Sequence, residues 1–133
     1  MKLQQATRCA LFSVFELAEA PGRQVAAAEI AEKYDLSVNH LAKVLRELAR
    51  ARIIKSVRGA GGGYTFTANS KRLTLFEIIG LFEEIAPVDD DRNEPSERTA
   101  AGQALGRVLS EIDGITVSTL KTVTVATYLK LSR

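Results

Sequence analysis

At 133 residues the chain is long enough for one domain and an appended helix, and 46% hydrophobic content can fill a modest core. The net charge is only +2, but residues 1–72 hold 12 Lys and Arg against 6 Asp and Glu, while residues 73–133 hold 6 against 10. The single cysteine, Cys9, excludes an intrachain disulfide, and no run approaches the ~20 apolar residues of a membrane span. The start lacks the apolar core and small-residue cleavage site of a signal peptide, so the cytoplasm is the expected compartment. A basic front half joined to an acidic back half suits a DNA-facing module attached to one that does not touch DNA.

In chain order, residues 5–20 read as a first helix with Ala6, Cys9, Ala10, Val14, Leu17 and Ala18 on its inner stripe. Cys9 on that stripe reads as a small core residue rather than a sensor thiol. Pro21-Gly22-Arg23 breaks the helix. A shorter helix follows, with Ala28, Ile30, Ala31 and Tyr34 as its packing face, then a tight turn at Tyr34-Asp35-Leu36. Ser37 is a good N-cap for the next helix. There Leu41, Val44, Leu45 and Leu48 fall at i, i+3, i+4 and i+7, while Asn39, Lys43, Arg46 and Arg50 cluster opposite, flanked by His40 and Glu47. One face packs; the other carries an amide and three cations, the chemistry that reaches phosphates, guanine acceptors and adenine edges in a major groove.

Residues 52–57 are β-branched and near-alternating, as are residues 64–67, and between them lie Arg58 and the glycines of Gly59-Ala60-Gly61-Gly62-Gly63. The two runs predict a hairpin whose tip can lie against a sugar-phosphate edge with Arg58 in a minor groove. A nucleotide-cradling loop is excluded, because Gly63 is followed by Tyr64 and not by a Lys-Ser/Thr pair opening a helix. A helix over 74–86 starts with Thr74 and Glu77 as a capping box, buries Leu75, Ile78, Ile79 and Phe82, and ends at Pro87-Val88. Residues 89–95 are an acidic loop. From Ser96 a long helix carries a seam of Leu105, Leu109, Ile112, Thr116, Thr119 and Val123, and Gly114 with its β-branched neighbours Ile115, Thr116 and Val117 lowers the helix propensity enough to permit a break there. Such a lone stripe needs a partner, here a second copy of the chain. Thr124 caps a short closing helix.

The order helix, turn, helix, hairpin is a winged helix-turn-helix. The fold class expected is mainly α with a small β-hairpin wing and a long C-terminal dimerisation helix. The units are a DNA-binding domain over 1–88, the acidic loop 89–95, and a dimerisation segment over 96–133. With Met1-Lys2-Leu3, Ala31, Leu36-Ser37, Leu41, Leu45, Leu48 and above all the run Ser56-Val57-Arg58-Gly59-Ala60-Gly61-Gly62-Gly63-Tyr64, the chain resembles the Rrf2 (Rrf-two) family of bacterial winged-helix transcription regulators, which includes the IscR, NsrR and CymR types. Leu73-Thr74-Leu75 with Glu77-Ile78-Ile79 extends the likeness, which is clear over 1–88 and weaker beyond.

The resemblance implies a homodimer on double-stranded DNA at a near-palindrome, with half-sites one helical turn or a small multiple apart. It implies contacts from Thr7 and Arg8 at the start of the first helix, from Ser37, Asn39, His40, Lys43 and Arg46, and from Lys55, Arg58, Gly59, Gly61, Gly62 and Tyr64 of the wing. Family members with an iron–sulfur cluster hold it on three cysteines, whose positions fall near Asp91, Glu97 and Gln103 here. None is a cysteine, so no cluster of that kind is expected, and neither the acidic loop nor His40 has metal-site spacing. A rival expectation is control by a partner protein, as in the CymR type, or by a small ligand, with the winged helix serving partly as a scaffold. No nucleophile–base pair or cofactor fingerprint is present, so the chain does not read as an enzyme.

Overall fold

The computed structural model describes residues 1–59, 61–85 and 95–133. Helix α1, Gln5–Glu19, is the hub: it contacts α2 (Ala27–Tyr34), α3 (Val38–Arg50), β2 (Gly63–Phe66), α4 (Leu75–Gly80) and α6 (Val125–Leu131). Its buried stripe runs through Cys9, Ala10, Leu11, Val14, Leu17 and Ala18, and the buried Ser13 hydroxyl is satisfied by donating to the Cys9 carbonyl at 2.7 Å. Ala28, expected on the packing face of α2, is exposed, because α2 buries only Ile30 and Ala31.

Two left-handed residues set the turn between α2 and α3 and the turn from α3 into the hairpin. Asp35 (φ 53°) ends α2, and the Leu36 N–H reaches back to the Ala31 carbonyl at 2.9 Å. Arg52 (φ 64°) ends α3 in the same way, with Ile53 N–H on the Leu48 carbonyl at 3.1 Å. The strand expected from residue 52 therefore starts only at Ile54, since Arg52 is spent on reversing the chain. Strand β1, Ile54–Val57, pairs antiparallel with β2 in the register Ile54 to Phe66, Lys55 to Thr65, Ser56 to Tyr64 and Val57 to Gly63. Val25 adds a one-residue third strand by exchanging both backbone bonds with Tyr64 (3.0 and 2.9 Å).

Helix α4 is shorter than the expected 74–86. Thr74 caps it by accepting the Glu77 N–H at 3.3 Å, but it ends at Gly80. Glycine there is the poorest helix former short of proline, and Glu83 is drawn off to α1. Pro87-Val88 and residues 89–94 of the expected acidic loop lie outside the described residues.

After a 3-10 turn at Pro95–Arg98, α5 runs Ala100–Thr122, capped by Thr99, without a break at Gly114. The Thr116 and Thr119 hydroxyls donate to the carbonyls one turn back, so the polar groups in the β-branched stretch are satisfied inside the helix. Val123 lies past its end in extended backbone, and its carbonyl accepts the Leu75 N–H at 2.9 Å. Val123, the last member of the expected seam, thus lies beyond the end of the helix, and its backbone ties α5 to α4. Helix α6 follows at once, capped by Thr124, and buries Val125 and Leu129 in the core around α1.

Candidate nucleic-acid interface

Helix α3 is held by its apolar stripe. Leu41, Val44, Leu45 and Leu48 are all buried, and the Ser37 hydroxyl caps the first turn by accepting the His40 N–H at 3.3 Å. The opposite face is bare: Asn39, Lys43, Arg46 and Arg50 are exposed. Arg50 pairs with Glu47 at 3.1 Å, three residues back. Among the described residues, Lys43, Arg46, Lys55 and Arg58 join no ion pair. Cations left without an internal partner keep their full charge available to an external one.

The wing divides its glycines between two tasks. Gly59 (φ 120°) and Gly61 (φ 75°) adopt backbone that L side chains rarely take, and a side chain on either would meet only open space. Gly62 and Gly63 are required from within instead. A Cβ on Gly62 would lie 2.9 Å from the Val57 carbonyl, and one on Gly63 would lie 2.6 Å from the Val25 carbonyl. Tyr64 is half-buried against the core, with its backbone used by Val25. Lys55, Arg58, Gly59 and Gly61 are thus exposed, Gly62 is held within the hairpin by Val57 and Gly59, and Gly63 and Tyr64 join the hairpin to the body at Val25.

Two expected contacts are placed elsewhere. The Thr7 side chain is fully buried, and its hydroxyl donates to Glu83 Oε2 at 2.5 Å; the same oxygen accepts the Gln4 N–H at 2.9 Å. Glu83 thereby caps α1 from across the fold, since α1 has no cap of its own. Arg8, in contrast, is exposed over the Phe12 ring at 5.5 Å. His40, expected to face DNA or solvent, turns Nε2 inward, where it is buried without a partner among the described residues. It sits one step from Val44 around the helix, at the edge of the packed stripe.

A polar knot that sequence patterning missed holds α2 to α1. The Tyr34 ring stacks on Phe12 at 4.7 Å, its hydroxyl donates to Glu16 Oε1, and Lys33 Nζ reaches the same oxygen at 2.7 Å. Burial alone would raise the Glu16 carboxyl, but hydrogen bonds from Lys33 and Tyr34 outweigh it and leave the carboxyl below its ordinary value. Burial first, and Glu16 second, push the Tyr34 hydroxyl up.

The chain matches, over residues 3–130, the Rrf2 family model described as an iron-dependent transcriptional regulator. It is 51% identical over 131 residues to a protein of Rhodopseudomonas palustris named as the HTH-type transcriptional regulator BadM, covering 98% of this chain and 83% of that protein. Among solved structures it is similar to CymR, the global cysteine regulator of B. subtilis, with a TM-score of 0.82 at 26% identity over 100% of this chain and 99% of that one. It is also similar to T. potens IscR, with a TM-score of 0.72 at 25% identity over 100% and 89%.

The family description raises iron, and the residues here do not fit a thiolate-bound cluster. Glu97 lies on the 3-10 turn, Gln103 is exposed on α5, and Asp91 is outside the described residues. The one thiol, Cys9, is buried in α1, where burial pushes its pKa up. Among the described residues no three His, Cys, Asp or Glu side chains gather where a metal ion would sit. Fold, wing sequence and relatives agree: the chain is a transcriptional regulator, not an enzyme, and belongs to the Rrf2 family.

Proposed function

We propose that the protein is a sequence-specific DNA-binding regulator that acts in the bacterial cytoplasm as a homodimer on a near-palindromic operator, without an iron–sulfur cluster. The observation that carries this reading is the set of exposed, unpaired cations on α3 and the wing: Lys43, Arg46, Lys55 and Arg58. Asn39 beside them supplies an amide for a base edge, and the positive-φ glycines let the wing backbone approach a phosphate ridge while Arg58 enters the minor groove. Arg8 adds a phosphate contact from α1.

The homodimer rests on α5, none of whose residues is fully buried in its own chain and of which Leu120, near its end, packs partly against the core. Leu105, Leu109 and Ile112 remain exposed on it, with Thr116 and Thr119 continuing the seam. A helix of 23 residues with a bare apolar stripe is stabilised by a second copy crossing it. The cluster-free reading rests on the donor set, a single buried thiol.

The test is selection of a binding site from a random duplex pool, followed by gel shift with Arg58→Ala. The selected site is expected to be a near-palindrome. Arg58→Ala should weaken binding by about 1–3 kcal/mol, roughly 5- to 150-fold, and relax the preference at the minor-groove position. Unchanged affinity at moderate salt overturns the wing assignment. A purified protein with visible absorbance and bound iron overturns the cluster-free reading.

A further inference from the structure

Val38, the first residue of α3, is 54% exposed. The other exposed large apolar side chains are Met1 and residues from Leu81 onward, so among the described residues Val38 stands alone from Lys2 to Gly80. Its own helix buries every other large apolar side chain it has. Local structure does not call for it: a β-branched residue is a poor helix former, and Ser37 already caps the turn. Ala42, one turn on and half-buried, extends the same edge without adding a donor or acceptor. An apolar strip therefore runs along one border of the face that carries Asn39, Lys43 and Arg46.

The cations choose the occupant. A surface that would cover Val38 must be anionic close by and present a small apolar group, and the major groove of DNA offers one such group, the thymine 5-methyl. The helix start is also the part that meets base edges in this docking geometry, because side chains there lean toward the N-terminus. We infer that Val38 is a specificity-determining residue that packs against a thymine methyl in each half-site, an inference that rests on the DNA-binding reading above.

The test replaces each thymine of the selected operator, one at a time, with uracil, which keeps the base pairing and removes only the methyl. The wild-type protein should bind about fourfold more weakly at one thymine per half-site, the size of one lost methyl contact. Val38→Ala should bind thymine and uracil versions equally, at the affinity the wild type shows for the uracil site. Its melting temperature should stay close to wild type, since Val38 is exposed and lies outside the packed core. A uracil scan that leaves wild-type binding unchanged, a half-site without thymine, or a uracil penalty that persists in Val38→Ala overturns the inference. If no duplex is bound at all, it is the DNA-binding reading that fails.

Discussion

Helices α3 and α5 are both amphipathic, yet the fold treats their apolar stripes in opposite ways. On α3, Leu41, Leu45 and Leu48 are 0% exposed; on α5, Leu105, Leu109 and Ile112 are 58%, 39% and 52% exposed. The first stripe finds α1, α2 and β1 within its own chain. The second touches the body through α4 and the 3-10 turn but buries none of its residues there. Periodicity thus says that a face must be covered without saying by which molecule. On α3 the cover comes from α1, α2 and β1, whereas the core around α1 is completed by α6 and leaves the α5 stripe outside it.

The contrast breaks most sharply under a charge placed on α5. Leu109→Arg with Ile112→Arg should convert a dimer to a monomer in sedimentation equilibrium. Because each half-site is then bound independently, operator affinity should fall by roughly 10²- to 10⁴-fold. The far-UV signal should barely change. A variant that remains dimeric with operator affinity intact would show that α5 is not the dimer seam.

Truncating the buried stripe should do the reverse. Leu45→Ala should cost about 2–5 kcal/mol in urea denaturation through lost burial and a cavity, while leaving self-association intact. A cost near zero would mean that α3 is not packed as described.

A smaller effect separates the hub from both helices. Glu16→Gln keeps an acceptor oxygen but removes the negative charge shared by Lys33 and Tyr34, and should cost about 1 kcal/mol at neutral pH. The Glu16 carboxyl is depressed in the folded state, so its contribution is full above its ordinary value of 4.5 and is lost as pH falls through the folded value. Melting curves of the two proteins should therefore converge in strong acid; a gap independent of pH would assign the loss to packing.

What the sequence made legible follows the same division between local and distant causes. The cap at Ser37, the stripe of α3 and the hairpin are written in consecutive residues, and all three are found. Thr7 is misread because its partner, Glu83, lies 76 positions away and nothing near Thr7 announces a carboxylate. Helix α4 is cut short by Gly80 and by that same glutamate. In the sequence the wing glycines look alike, but only Gly59 and Gly61 adopt positive φ, while Gly62 and Gly63 are demanded by carbonyls of Val57 and Val25. His40 is turned inward because it borders the stripe, a matter of tens of degrees that residue type does not reveal.

The central claim is that the unpaired cations of α3 and the wing neutralise DNA phosphates. The most direct measurement is the salt dependence of operator binding for the wild type and Lys43→Ala. Log affinity should fall linearly and steeply with log salt, by about 0.9 per phosphate neutralised, and Lys43→Ala should reduce the slope by about 1 for each copy in the dimer. Affinity that is flat in salt, or a slope that Lys43→Ala leaves unchanged, would contradict it.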